Sequence, residues 1–230
     1  MCGRFVSREQ AAIEREYNIR VRQPFERVYN AAPTMELPVL RAAGAEAGAA
    51  AGGGALEAVA MRWGLVPSWW SQPAPPTSTI NARSEEAAAK PMWRQAVRSA
   101  RALVLALGWY EWQVREGGKQ PYFIHAPGLS GLCFAGLWSA HRGTEGQEQQ
   151  TFAILTRGAS AQLMPVHNRM PVVLAPELFA EWLAPWTAKH SAQLASFVAR
   201  SLEEFEYYPV SRYVNAPRNQ GERCIERVAA

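Results

Sequence analysis

Apolar residues recur along this chain in short runs punctuated by polar residues, Gly and Pro. The runs Leu37–Leu40, Leu56–Trp63 and Thr151–Thr156 read as strands. Four more candidates follow in quick succession: Arg101–Ala106, Trp109–Val114, Pro121–His125 and Leu132–Leu137, with Gly117-Gly118 as the turn between the second and third. Helical signals are shorter. Ser7-Arg8-Glu9-Gln10 has the capping-box pattern and opens a helix to about Tyr17. Ser84-Glu85 leads into an Ala-rich helix that stops before Pro91, and Met92–Ser99 continues as another. Pro176–Leu183 and Ser191–Arg200 complete the set, the former with Pro in its first turn. Many short strands, scattered helices and no βαβ rhythm predict an α+β single domain: a curled, barrel-like mixed or antiparallel sheet with flanking short helices. No repeat or boundary divides residues 2–230. Residues 42–55, Ala and Gly apart from Glu46, read as a flexible insertion within that domain.

Composition narrows the picture. The chain has 230 residues, 48% hydrophobic and 19% charged, ample to bury a core. No apolar run approaches the ~18 residues of a membrane span, and the start has no apolar signal region. A cytoplasmic protein is expected. Cys2, Cys133 and Cys224 form no CxxC or Cys/His cluster, so neither a zinc site nor a disulfide framework is expected. The net charge is +4, and only Lys90, Lys119 and Lys189 of the 24 basic residues are lysines. Arginine grips phosphate bidentately and stacks on bases. A biased, Ala-rich composition gives the same excess, so the arginines alone decide nothing.

Several residues carry chemistry of their own. If Met1 is removed, Cys2 presents an α-amine and a thiol on adjacent carbons. That 1,2-aminothiol suits an aldehyde: the amine condenses to an imine and the thiol closes a five-membered ring. The alternative is that Cys2 is an incidental small residue. Glu111 lies among aromatics in Gly108-Trp109-Tyr110-Glu111-Trp112, sharing a strand face with Trp109 and Gln113. It is either a raised-pKa acid or base, or a solvated strand-edge carboxylate. His167 is either a proton carrier or a loop histidine bonded to backbone. Trp69-Trp70 is either a base-stacking pair or core. Asn81 and Arg83, two apart on an extended chain, face the same way.

Taken in order, the segments Cys2-Gly3-Arg4-Phe5, Tyr29-Asn30-Ala31-Ala32-Pro33, Trp63-Gly64-Leu65-Val66-Pro67, Asn81-Ala82-Arg83-Ser84-Glu85, Gly108-Trp109-Tyr110-Glu111-Trp112, Phe134-Ala135-Gly136-Leu137-Trp138, His167-Asn168-Arg169-Met170-Pro171 and Pro209-Val210-Ser211 resemble the SOS response-associated peptidase (SRAP) family. They span nearly the whole chain. The resemblance implies an abasic-site processing protein whose Cys2, freed of Met1, forms a thiazolidine with the aldehyde of an abasic site in single-stranded DNA. It implies catalytic roles for Cys2, Asn81, Glu111 and His167: Asn81 orients the linkage, Glu111 is the acid/base, and His167 handles protons at the sugar. It implies phosphate contacts by Arg4, Arg83 and Arg169, base stacking by Trp69 and Trp70, and a channel-bordering loop at Asn30 and Pro33. The family is also credited with lyase-like and self-cleaving peptidase behaviour. No metal or cofactor is implied, the chain is expected to act as a monomer, and the replication machinery is a candidate partner. Leu107 and Asn168 depart from the family pattern, which usually has Asp or Asn at the first position and Asp at the second. Two rival functions are a cysteine peptidase using Cys2 and a non-catalytic module binding single-stranded or modified DNA.

Overall fold

The computed structural model describes residues 2–21, 24–44, 55–72, 78–142, 146–186 and 189–229. It begins with β1 (Phe5–Ser7) and α1 (Gln10–Tyr17), followed by β2 (Glu36–Ala42) and β3 (Leu56–Trp63). β4 (Asn81–Arg83) runs directly into α2 (Ser84–Ala87), and α3 (Pro91–Ser99) follows. Then come β5 (Arg101–Arg115), β6 (Gly118–His125), β7 (Leu132–Arg142) and β8 (Glu148–Gly158). β9 (Arg169–Pro171), β10 (Val173–Leu174), α4 (Phe179–Leu183), α5 (His190–Ala199) and β11 (Glu206–Pro209) complete the order.

Strands β7, β8, β3, β2 and β5 pair in that order, and β5 pairs back onto β7, closing a five-stranded barrel. The α+β, barrel-like class expected from the sequence is the one observed. β3 and β4 run parallel to β8, and the other pairings are antiparallel. The barrel core is aromatic. Phe5 meets Trp63 edge-on at 5.1 Å between ring centroids, Trp63 stacks on Phe152 at 6.2 Å, and Trp109 meets Phe134 at 6.0 Å. Such edge-to-face and stacked pairs fill a small barrel while satisfying the ring quadrupoles.

Three local readings change. The two strand candidates on either side of Leu107-Gly108 are one fifteen-residue strand. Its first half pairs with β7 and β2, its second with β1 and β6. Gly108 marks a close approach: a Cβ there would lie 2.4 Å from the Ile124 carbonyl and 2.5 Å from the Phe123 ring. Leu107 packs with the cluster of Tyr110, Phe123 and Val210. Ser7 is not a helix cap. It ends β1, and its hydroxyl accepts from Val28 N–H at 2.9 Å, while α1 starts without a side-chain cap. Pro176–Leu178 is a 3-10 turn feeding α4. The Ala/Gly insertion is a β2–β3 hairpin at its base, where Ala43 N–H donates to Ala55 O at 2.8 Å; residues 45–54 lie outside the described residues.

Gly108→Ala is expected to cost about 2–3 kcal/mol through overpacking at a site with no room to yield, read as a lowered denaturant midpoint at unchanged m-value.

Candidate functional site

Strand β8 serves as a common ruler. On one side Asn81, Ala82 and Arg83 pair with Ile154, Leu155 and Thr156; on the other, Arg169, Met170 and Pro171 pair with Gly158, Arg157 and Thr156. Asn81 and the turn carrying His167 are thereby held at the same end of the barrel. A salt bridge ties the two flanks together. Arg169 donates bidentately to Glu85, at 2.6 and 3.0 Å, and to Thr156 O at 2.8 Å. This pairing holds the Glu85 carboxyl below its ordinary range.

The N-terminal segment enters from the other direction. Phe5 lies opposite Trp109, Tyr110 N–H donates to Arg4 O at 3.0 Å, and Phe5 and Ala31 exchange two backbone bonds. Continuing that antiparallel course brings Cys2 alongside Glu111. Asn81 Nδ2 donates to the Cys2 carbonyl at 2.8 Å, and Asn81 Oδ1 is buried with no hydrogen-bond partner among the described residues. The Glu111 carboxylate is one of the charges acting on the Cys2 thiol. His167 Nε2 lies 3.9 Å from Glu111 Oε2. Its Nδ1 accepts the Arg169 backbone N–H at 3.0 Å, which assigns the proton of a neutral ring to Nε2, facing the carboxylate. The four residues Cys2, Asn81, Glu111 and His167 are thus brought together from β4, β5 and two loops.

Burial sets the protonation of this group. Glu111 is 3% exposed, and burial pushes its carboxyl up to about 7. Burial raises the Cys2 thiol well above its ordinary value, and the Glu111 charge adds to the shift. His167 is lowered, first by burial, with the Arg169 charge acting the same way. Among the described residues no group of His, Cys, Asp and Glu is arranged to hold a metal ion. The three cysteines are all buried and none is paired.

A cleft of about 420 Å3 opens over Glu111 and His167, walled by Arg4, Trp112, Lys119 and Asn215. Arg4 is held from behind. Its guanidinium donates to Asn30 Oδ1 at 2.7 Å, Val214 O at 3.0 Å and Asn215 O at 3.2 Å, and lies 5.9 Å from the Trp112 ring centroid. Asn30 is fully buried, and its amide donates to the carbonyls of Val214, Ala216 and Asn219. Every polar atom of its side chain is thus used in tying the N-terminal segment to the tail. Pro33 is half-buried beside Thr34, whose φ of 76° is left-handed.

Arg83 is exposed. Trp69 is 53% exposed and meets Trp70 edge-on at 5.6 Å. Trp69 borders a separate cavity of about 20 Å3 against α3, lined also by Met92 and Gln95. Arg169 is committed to Glu85. Lys119, Asn215 and Glu85 were not anticipated from the sequence. The available signal for Asn215 and its neighbours was a tail without acidic residues from Pro209 to Gly221.

This barrel, with its N-terminal Cys2 set against Asn81, Glu111 and His167, is that of the SOS response associated peptidase (SRAP) family, to which the chain belongs; the family model matches residues 1–217. The chain is 34% identical over 167 residues to the abasic site processing protein YedK of Escherichia coli (strain K12), covering 72% of this chain and 73% of that one. It is 35% identical over 191 residues to the abasic site processing protein HMCES of Gallus gallus, covering 72% of this chain and 56% of the longer relative. Among solved structures, a protein from Bacteroides thetaiotaomicron superposes with a TM-score of 0.83 at 19% identity over the full length of both chains. A phage-related protein from Bordetella bronchiseptica superposes with a TM-score of 0.67 at 31% identity, covering 91% and 94% of the two chains.

The raised Glu111 carboxyl has a consequence for stability. A folded value near 7 against an unfolded value near 4.5 means the contribution is fully present below about 4.5 and is lost as pH rises through 7. Glu111→Gln is therefore expected to be more stable than wild type at pH 8, by on the order of 3 kcal/mol, and to match it at pH 4. Calorimetry at the two pH values checks this.

Proposed function

We propose that this protein processes abasic sites in single-stranded DNA by linking covalently to the sugar aldehyde through Cys2. The observation that carries the reading is the anchoring of the Cys2 carbonyl by Asn81 beside a buried carboxyl and an imidazole. The named relatives, both abasic site processing proteins, support the same substrate.

The chemistry balances without a cofactor. Once Met1 is removed, the Cys2 amine, which ordinarily titrates near 7.7–8.0, attacks the aldehyde carbon of the ring-opened sugar. Loss of water gives an imine. The thiol sulfur then adds to the imine carbon, its proton passes to nitrogen, and a thiazolidine results. A carboxyl near 7 is suited to both halves: as the acid it protonates the departing hydroxyl, and as the base it accepts the thiol proton. His167, with its proton on Nε2, exchanges protons with Glu111 and with the sugar oxygens. The unpartnered Asn81 Oδ1 is an acceptor for the reacting amine. Arg83 and Arg4 hold the phosphates, and Trp69 and Trp70 take a neighbouring base. In this reading Asn30 positions Arg4 and does not touch DNA.

A cysteine-peptidase reading is less well supported. A peptidase thiol is activated by a depressed pKa, whereas burial and Glu111 both push Cys2 upward. A lyase step remains compatible, because the imine is the intermediate from which β-elimination proceeds.

Incubation with a single-stranded oligonucleotide bearing one abasic site is expected to give a heat-stable shifted band on a denaturing gel. Cys2→Ala is expected to give none; an equal band from that variant sinks the proposal. Glu85 provides a second test, since the Glu85–Arg169 pair aligns the Asn81 and His167 flanks. Glu85→Gln is expected to slow single-turnover linkage roughly tenfold through misalignment, while anisotropy shows DNA affinity undiminished.

A further inference from the structure

Two exposed cations, one in the cleft wall and one beyond it, are left unexplained by chemistry at Cys2. Lys119 is exposed and lines the cleft with Arg4 and Trp112. It pairs across β5–β6 with Val114, and Trp112 pairs with Pro121, so Lys119 and Trp112 share one face of that hairpin. Arg212 is likewise exposed and reaches over the same hairpin, donating to Gly117 O at 3.3 Å. It therefore stands near Lys119 at the turn that closes the hairpin.

These cations are not neutralised. Among the described residues no ion pair involves Arg4, Lys119 or Arg212. Arg4 is held by carbonyl and amide oxygens, which orient it and leave its charge intact. Seven other basic residues, Arg8, Arg27, Arg41, Lys90, Arg157, Arg169 and Arg200, do have carboxylate partners. The local sequence is depleted in acid as well. Between Trp112 and Ile124 only Glu116, in the hairpin turn, is acidic, and the tail from Pro209 to Gly221 has none.

We propose that Arg4, Lys119 and Arg212 form a phosphate track that carries the DNA backbone on one side of the lesion, out of the cleft and over the β5–β6 hairpin. The proposal rests on the reading of the protein as a binder of abasic single-stranded DNA, and adds the path of one flank. Its partner is a run of phosphodiesters, because three cations in a row recognise backbone charge and read no base. The track has a side. Arg83, an exposed basic residue, extends from β4, which pairs with β8 and not with the β5–β6 hairpin. Trimming DNA from the two ends should therefore act on different residues.

The test uses the whole chain with Lys119→Ala and Arg212→Ala combined, and the charge-retaining Lys119→Arg/Arg212→Lys pair as control. Both residues are exposed, and a thermal scan verifies that the fold is kept. Binding to undamaged single-stranded DNA is measured by anisotropy across a salt series. The alanine pair is expected to lose roughly tenfold in affinity at low salt and to flatten the slope of log K against log salt by about 1.4, while the control pair keeps the wild-type slope. With abasic oligonucleotides shortened from one end or the other, the alanine pair should stop responding to trimming at one end and respond like wild type at the other. The loss should fall mainly in the half-saturating DNA concentration for linkage and less in the rate at saturation. An unchanged salt slope, or equal loss of response at both ends, overturns the track. If wild type forms the covalent band and the slope is unchanged, the track fails and the reading of function stands. If wild type forms no band but the alanine pair flattens the slope, the reading of function fails and the track stands.

Discussion

The bond from Tyr110 N–H to the Arg4 carbonyl is short and ordinary, yet the site depends on it. Together with the two bonds between Phe5 and Ala31, it fixes the register of a three-residue strand against the middle of β5. A slip of one residue would turn Phe5 out of the aromatic core and carry Cys2 away from Glu111. Phe5 is fully buried among Trp63, Phe134 and neighbouring aliphatics, so such a slip costs the burial of a whole aromatic side chain, roughly 2–3 kcal/mol. Core packing thereby becomes positional accuracy at the chain's beginning.

The electrostatics are layered. Burial drives Glu111, Cys2 and His167 each toward its uncharged form: the acids up, the imidazole down. The interior of the site therefore holds little fixed charge and can move protons at small cost. Around it stands a positive rim, with Arg4 held by neutral oxygens and Arg83 and Lys119 in solvent. A polyanion is drawn to such a rim, while an uncharged group is the part suited to the interior. Acidic neighbours near the rim would cancel this division, and Glu85 is kept from doing so by its pairing with Arg169.

Much of this was legible in the chain itself. The strand runs, the Gly117-Gly118 turn and the faces of Trp109, Glu111 and Gln113 follow from periodicity and turn chemistry, and the structure keeps them. The segments that carried the family resemblance include all four residues gathered at the cleft. What escaped were the partners supplied from far away. Ser7 satisfies a helix-cap pattern locally, but Val28 claims its hydroxyl across 21 residues. Leu107-Gly108 reads as a break between two strands until the Phe123 ring is placed against Gly108 and the strand is seen to run through. Asn30 and Arg169 have the polarity of ligand-binding residues, and only the fold reveals that one is buried in the tail and the other locked to a carboxylate. Pattern reports what a residue is able to do; long-range contacts decide which of those abilities are already in use.

The Asn30 hub has a temporal consequence. Arg4 and Asn30 are held by carbonyls 184 to 211 residues further along the chain. A chain emerging from the ribosome can make its first strands early, but it cannot orient Arg4 or wall the cleft until the segment around Val214 and Asn219 has been synthesised and docked. Loop closure over such separations is slow compared with hairpin formation. Cys2 thus gains its complete surroundings only after residues near the other end of the fold have docked. The order of synthesis itself therefore delays completion of the cleft until the fold is whole.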